Sequence, residues 1–155
     1  MTTSEIIRGA RPADAPAIAR LIRHSKAEAM PWLAVTHTLE EDDWWVAEML
    51  LPSDDVHVAV SPADPKVLVG VIALSPGWLN HLYIATSAQG QGVGSRLLRL
   101  AQESATEDLQ LWAFQRNTRA RGFYEGRGFV EVRSTDGDNE EREPDVLYRW
   151  ELKRT

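Results

Sequence analysis

The chain contains no cysteine. Disulfides, thiolate metal sites and a cysteine nucleophile are therefore excluded. No stretch approaches the roughly 20 consecutive apolar residues of a membrane-spanning helix. The opening segment Met1–Ala10 lacks the apolar run of a secretory signal, so the expectation is a cytoplasmic protein without membrane contact. Positive charge is in deficit: 17 Lys and Arg stand against 23 Asp and Glu, a net charge of −6. That balance argues against general nucleic-acid binding through phosphates. The four histidines lack ligand spacing and the carboxylates are spread, so no metal site is expected.

What is present is ordinary for a globular protein, with 43% hydrophobic and 26% charged residues. At 155 residues the chain fits one domain, 1–155, and is too short for two full ones. There is no repeat, low-complexity tract or linker.

Periodicity orders the elements. Ile6-Ile7-Arg8 reads as a short edge strand. Asp14 can cap a helix whose apolar stripe is Ala15, Ile18, Ala19 and Ile22. Met30-Pro31-Trp32 breaks that helix, and a second helical pattern carries Leu39, Trp44, Ala47, Leu50 and Leu51. Val56, Val58 and Val60 alternate as a half-buried strand. The unbroken run Val67–Leu74 reads as a strand covered on both faces. Trp78–Ile84 follows as a third strand of an antiparallel meander. A helix with Val93, Leu97, Leu100, Ala101 and Ser104 on one face comes next, then a strand, Leu109–Phe114. Asn117 can cap a helix whose inner face holds Ala120, Phe123 and Tyr124. Strands at Phe129–Val132 and Val146–Trp150 close the order β-α-α-β-β-β-α-β-α-β-β.

Between strand and helix lies Gln89-Gly90-Gln91-Gly92-Val93-Gly94. First-turn N–H groups lack intrahelical partners, and the helix dipole makes that end positive. Glycines there let a diphosphate approach the backbone, and Ser95 adds a hydroxyl. The spacing fits neither the dinucleotide fingerprint G-x-G-x-x-G nor the nucleotide-triphosphatase loop. Arg116, Arg119, Arg121 and Arg127 form a nearby basic cluster. It reads either as a solvated surface or as a wall for an anionic cofactor.

Leu82-Tyr83-Ile84 followed by Gln89-x-x-Gly92-x-Gly94 resembles the acetyl-CoA signature of the GNAT superfamily of N-acetyltransferases. A second block, Asn117-x-x-Ala120-x-x-Phe123-Tyr124-x-x-x-Gly128-Phe129, also matches, and Ile7-Arg8-x-Ala10-x-x-x-Asp14-Ala15 is similar to the usual first strand and helix. The resemblance implies an α/β (α+β) fold: a mixed, mostly antiparallel sheet of six to seven strands, a central splayed strand pair and about four helices. It also implies acetyl-CoA as acyl donor, with no metal. Leu82, Tyr83 and Ile84 would hold the pantetheine arm. The turn Gln89, Gly90, Gln91, Gly92, Val93, Gly94 and Ser95 would hold the pyrophosphate, and Asn117 and Phe123 the pantetheine or thiol end. Tyr124 would be the general acid that protonates the departing thiolate.

The base is read from the residues themselves. Many relatives place a glutamate at the position of Trp78, but Trp78–Ile84 contains no carboxylate. His81 is the titratable group there with a pKa near neutrality, and Asn80 could instead position a water. Strand alternation puts 78, 80 and 82 on one face and 81 on the other unless a bulge inverts them. By resemblance Trp32 walls the acceptor pocket, whereas Trp112 reads as core. The acidic run 136–145 is either a solvated hairpin or part of the acceptor mouth. The acceptor would be an amine on a small molecule or peptide, a small amine or amino acid ahead of a protein, and the protein a monomer or homodimer. A non-catalytic acyl-CoA sensor and a protein N-terminal or lysine acetyltransferase are the alternative readings.

Overall fold

The structure, a computed structural model, describes residues 6–153. Residues 1–5 and 154–155 of the expected domain, and with them half of the segment read for a signal, lie outside the described residues. The strands are β1 Ile6–Gly9, β2 Asp55–Val60, β3 Leu68–Ser75, β4 Trp78–Ile84, β5 Leu109–Phe114, β6 Val130–Thr135 and β7 Asp145–Trp150. They form one sheet in the order β1-β2-β3-β4-β5-β7-β6. All pairs are antiparallel except β4 and β5. The helices are α1 Ala15–Ala29, α2 Leu39–Trp45, α4 Val93–Ser104 and α5 Thr118–Glu125. After α2, a π-helical segment Val46–Leu50 and the single turn α3 Leu51–Ser53 prolong the same rod. The expected element order and the mixed, mostly antiparallel sheet are both present. No described helix is long and apolar enough to cross a membrane.

Two apolar layers sandwich the sheet. On one side Ile18 and Ile22 of α1, with Val46 and Leu50, pack on Val56, Val58, Val71 and Ala73. On the other, Leu97, Leu98 and Ala101 of α4 pack on Ile72, Leu74, Leu79, Leu111 and Tyr148. Each such fully buried aliphatic side chain stabilises by roughly 1.5–3 kcal/mol. β3 is buried on both faces along nearly its whole length, which is why its sequence is a continuous apolar run rather than an alternating one. Gly70 lets α4 come close, since a Cβ there would lie 3.0 Å from Leu97 Cδ1 and 3.1 Å from Val93 Cγ1.

Several local expectations are corrected. Asp14 does not cap α1 with its side chain. Its carboxylate instead accepts from the Arg8 guanidinium at 2.8 and 3.0 Å and from the Arg11 N–H at 2.7 Å, which closes a 3-10 turn at Pro12–Asp14. The inner face of α2 is not Leu39 and Trp44, which are exposed. Asp42 and Asp43 turn inward to meet Arg23 and Arg20 of α1, and the π-helical turn brings Val46 and Leu50 into the core. Neutralised acids can occupy a face that polarity alone would assign to solvent. Trp112 is 41% exposed rather than core. β5 lies beyond the edge of the α1–α2 layer, and Trp112 packs under Arg133 at 5.1 Å.

Candidate active site

The site begins with a fork in the sheet. β4 and β5 share the single rung Trp78↔Gln110, with Gln110 N–H also bonded to Gly77 O at 2.9 Å. Past that rung the strands part. Ala85 N–H bonds toward β3, to Val69 O at 2.9 Å. Backbone groups alternate sides along a strand, so those of Leu82 and Ile84 point the other way, into the fork. Ser25, a buried serine on α1, donates to Ile84 O at 3.1 Å.

Beyond the fork the chain turns through Gly90 (φ 79°) and Gly92 (φ 82°). Both are left-handed conformations that any Cβ would strain. Gly92 is the N-cap of α4 and has no side chain to cap it. Among the described residues the amides of Val93, Gly94 and Ser95 have no acceptor. Three N–H groups at the positive end of a twelve-residue helix make a site for an anion. Arg127 closes its rim. Its guanidinium stacks on Phe123 at 3.9 Å and donates to Phe123 O at 3.0 Å and Ser95 Oγ at 2.6 Å.

Fork and turn open into one cavity of about 480 Å³. It collects Leu82, Tyr83, Ile84, Gln89, Gly90, Gly92, Val93, Gly94, Ser95, Asn117, Phe123 and Tyr124. Asn117 caps α5, its Oδ1 accepting from Ala120 N–H at 3.3 Å, and also lines the cavity. Tyr124 is 8% exposed and wedged between Phe123 and Phe129, with ring centroids 5.3 and 5.5 Å away. Its hydroxyl has no protein partner among the described residues, yet no buried side-chain polar atom is left unsatisfied. The hydroxyl therefore still meets the cavity. Burial, with Tyr83 close by, raises its pKa well above that of a free phenol, so it is protonated at any physiological pH.

Other expected site residues lie outside this cavity. Gln91 points away, its side chain donating to Ser87 O at 3.4 Å. Asn80 is the extra residue of a β-bulge, where Ala73 faces His81 and Leu74 faces Leu79. The bulge inverts simple alternation: Leu79 shares the α4 face with Leu82 and Ile84, and His81 shares the opposite face with Tyr83. The Asn80 amide is tied to Asp54 and Ser75, each at 2.9 Å. His81 stacks on Tyr83 at 6.2 Å and meets the edge of Trp45 at 5.2 Å. Desolvation, helped by Lys26, lowers the His81 pKa to about 4. Trp32 packs edge-on to Phe114 at 6.0 Å, beneath the Arg116 guanidinium at 4.3 Å.

The basic cluster divides. Arg119 and Arg127 line the cavity. Arg121 turns inward, donating to Tyr148 Oη at 2.9 Å and Gln115 O at 3.2 Å. Arg116 pairs with Glu143 at 2.7 Å. The acidic run is a built loop rather than a loose hairpin. Asn139 donates to Glu143 O at 2.7 Å and to Asp145 at 3.0 Å, and Glu140 reaches His37 of the α1–α2 connection at 2.6 Å. Ser25 and Ala29 of α1, and Met30 just after it, also line the cavity, and sequence reasoning missed them. The signal was Ser25 itself, a hydroxyl at the next position of the Ile18–Ile22 stripe.

Comparison with known proteins decides the family. The family model for acetyltransferase (GNAT) domains matches residues 40–131, more than half of the chain. The chain belongs to the GNAT acetyltransferase family. A probable N-acetyltransferase of Mycobacterium tuberculosis is 29% identical over 141 residues, 79% of this chain and 78% of its own. The apo form of YjaB from Escherichia coli superposes with a TM-score of 0.78 at 24% identity, covering 96% of this chain and 98% of its own. YncA from Salmonella typhimurium, solved with acetyl-CoA, gives 0.73 at 18% identity over 99% and 96%. In this GNAT domain the fork between β4 and β5 is the splayed strand pair that the resemblance implied.

Proposed function

We propose that this GNAT domain, a single domain spanning 1–155 and working in the cytoplasm, transfers acetyl from acetyl-CoA to a primary amine. The observation that carries the reading is the Tyr124 hydroxyl. It is protonated, unpartnered and open to the cavity, close to both the fork and the uncapped helix end. The residues fit acetyl-CoA in kind. Three free amides and two arginines suit a pyrophosphate, and the outward N–H and C=O of Leu82 with the Ile84 N–H suit the amides of a pantetheine arm.

Acetyl-CoA supplies a thioester carbonyl activated toward amines. The protein aligns it. Strand edge and helix end fix the two ends of the chain, so an amine entering from the α1–α2 side meets the acyl carbon at the fork. As the carbon–nitrogen bond forms and the carbon–sulfur bond breaks, Tyr124 Oη gives its proton to the sulfur. The proton lost from the nitrogen returns to the phenol through water. Because burial makes Tyr124 a weak acid, donation and replacement must be nearly simultaneous, which keeps a phenolate from accumulating.

The acceptor-side roles follow from placement. His81, uncharged at pH 7, offers the amine a hydrogen-bond acceptor; at a pKa of about 4 it is too weak to strip an ammonium by itself. The amine therefore arrives neutral or loses its proton to water. Trp32 walls the mouth of the acceptor pocket, and Asn80 holds the bulge. A thiol-release assay with acetyl-CoA and a panel of amines tests the reading. CoA binding without release for any amine would make the domain a sensor instead.

A further inference from the structure

Opposite the cofactor cavity, one charge is left uncompensated. α1 carries cations three residues apart at Arg20, Arg23 and Lys26. Arg20 pairs with Asp43 at 2.9 Å and Arg23 with Asp42 at 2.5 Å, so α2 neutralises the first two. Lys26, one turn farther on, is half-buried and has no carboxylate in ion-pair range among the described residues. Its Nζ lies 5.9 Å from the centroid of the Tyr83 ring. Tyr83 also lines the cofactor cavity, so Lys26 stands on the acceptor side of the reacting fork.

A second charge acts on Tyr83 through space. Glu141, from the loop between β6 and β7, acts on Tyr83 with the opposite sign to Lys26. That loop is pinned by Arg116–Glu143 and His37–Glu140, so Glu141 belongs to an ordered wall. The ring of Tyr83 stacks on His81, which meets the edge of Trp45. An ammonium that no described carboxylate pairs is open to a ligand anion. A polyamine brings no anion for it.

Resting on the acetyl-transfer reading, we propose that the acceptor is a free α-amino acid whose carboxylate is bound by Lys26, with Glu141 drawing in its ammonium. The carboxylate lies two bonds from the attacking nitrogen. Anchoring it fixes where that nitrogen sits, which makes Lys26 a specificity-determining residue rather than a catalytic one. The aromatic side chains beside Tyr83 take an apolar side chain.

The test is thiol release with acetyl-CoA, run for the protein amino acids and their decarboxylated amines in matched pairs. Wild type, Lys26→Met and Lys26→Arg are compared, with CoA affinity measured by calorimetry for each. The expected result is at least a tenfold higher kcat/KM for the acid of the preferred pair. Lys26→Met should erase that preference through KM, Lys26→Arg should retain most of it, and CoA affinity should stay within about twofold. Equal or better use of the plain amines by wild type would overturn the inference, as would a preference that survives Lys26→Met. Turnover of plain amines or peptides alone removes this inference and leaves acetyl transfer standing. No turnover with any acceptor, despite CoA binding, removes both.

Discussion

The two faces of β4 offer binding groups of different kinds. Toward α4 and α5 the contacts on offer are largely backbone: the strand edge at Leu82 and Ile84, and the free amides of Val93, Gly94 and Ser95. Toward α1 and α2 they are side chains: Lys26, Trp45, His81 and the loop acids. Backbone recognition demands a conformation, so it writes glycines and a spacing into the sequence. Side-chain recognition can be rebuilt with other residues at other positions, and leaves no fixed signature. A donor common to many enzymes suits the first, and an acceptor particular to one suits the second.

The contrast can be broken at several points. The largest effect is expected for Tyr124→Phe. Turnover should fall about 10²- to 10⁴-fold, the range for loss of a general acid, while CoA affinity changes less than about threefold. Unaltered kcat would remove the phenol from the reaction. Gly92→Glu places a Cβ at φ 82° and a negative charge at the anion site. Strain and repulsion together should weaken CoA binding by about 100-fold or more. Calorimetry showing wild-type affinity would mean the diphosphate sits elsewhere.

On the other face, His81 sets a pH effect on stability. Its pKa is lowered from 6.5 to about 4 in the folded chain. As pH falls through that interval the unfolded state takes up the proton first, so stability declines, by up to roughly 3 kcal/mol for this group. Above 6.5 both states are neutral and the effect is absent. Urea melts at pH 7 and pH 4.5 should show a shallower loss for His81→Phe than for wild type; equal losses would place the imidazole in a wetter setting. The smallest effect is expected for Glu143→Gln, which frees Arg116 and loosens the acidic loop. Removing a partly exposed pair is worth about 1 kcal/mol, so the acceptor KM should rise about fivefold with CoA affinity unchanged. A change in CoA affinity instead would mean that the loop serves the donor side.

Legibility followed the same division. β3 was readable because both its faces are buried, and α1 because Ala15, Ile18, Ala19 and Ile22 are buried in register. The glycine turn was readable because only glycine tolerates its dihedrals. Less was legible where pairing overrides polarity. Asp42 and Asp43 face inward because Arg23 and Arg20 meet them, and Arg121 is held by Tyr148 rather than by a cofactor. Trp112 is exposed because the helical layer ends before β5, a matter of topology that composition cannot reveal. The bulge at Asn80 moved Leu79 onto the face of Leu82 and Ile84 and left His81 opposite Leu82, as alternation assigned; a single inserted residue leaves no mark in local propensity.

The single rung between β4 and β5 also has a mechanical meaning. The sheet is two panels, β1 to β4 and β5-β7-β6, stitched at Trp78 and Gln110 and otherwise joined through the helices. A pantetheine arm lying along Leu82 and Ile84 would act as a splint across the open seam, supplying crosslinks that the polypeptide omits. Loading the donor would then stiffen the join between the panels before any acceptor arrives, and the amides of Leu82 and Ile84 would be the first to slow their exchange with solvent.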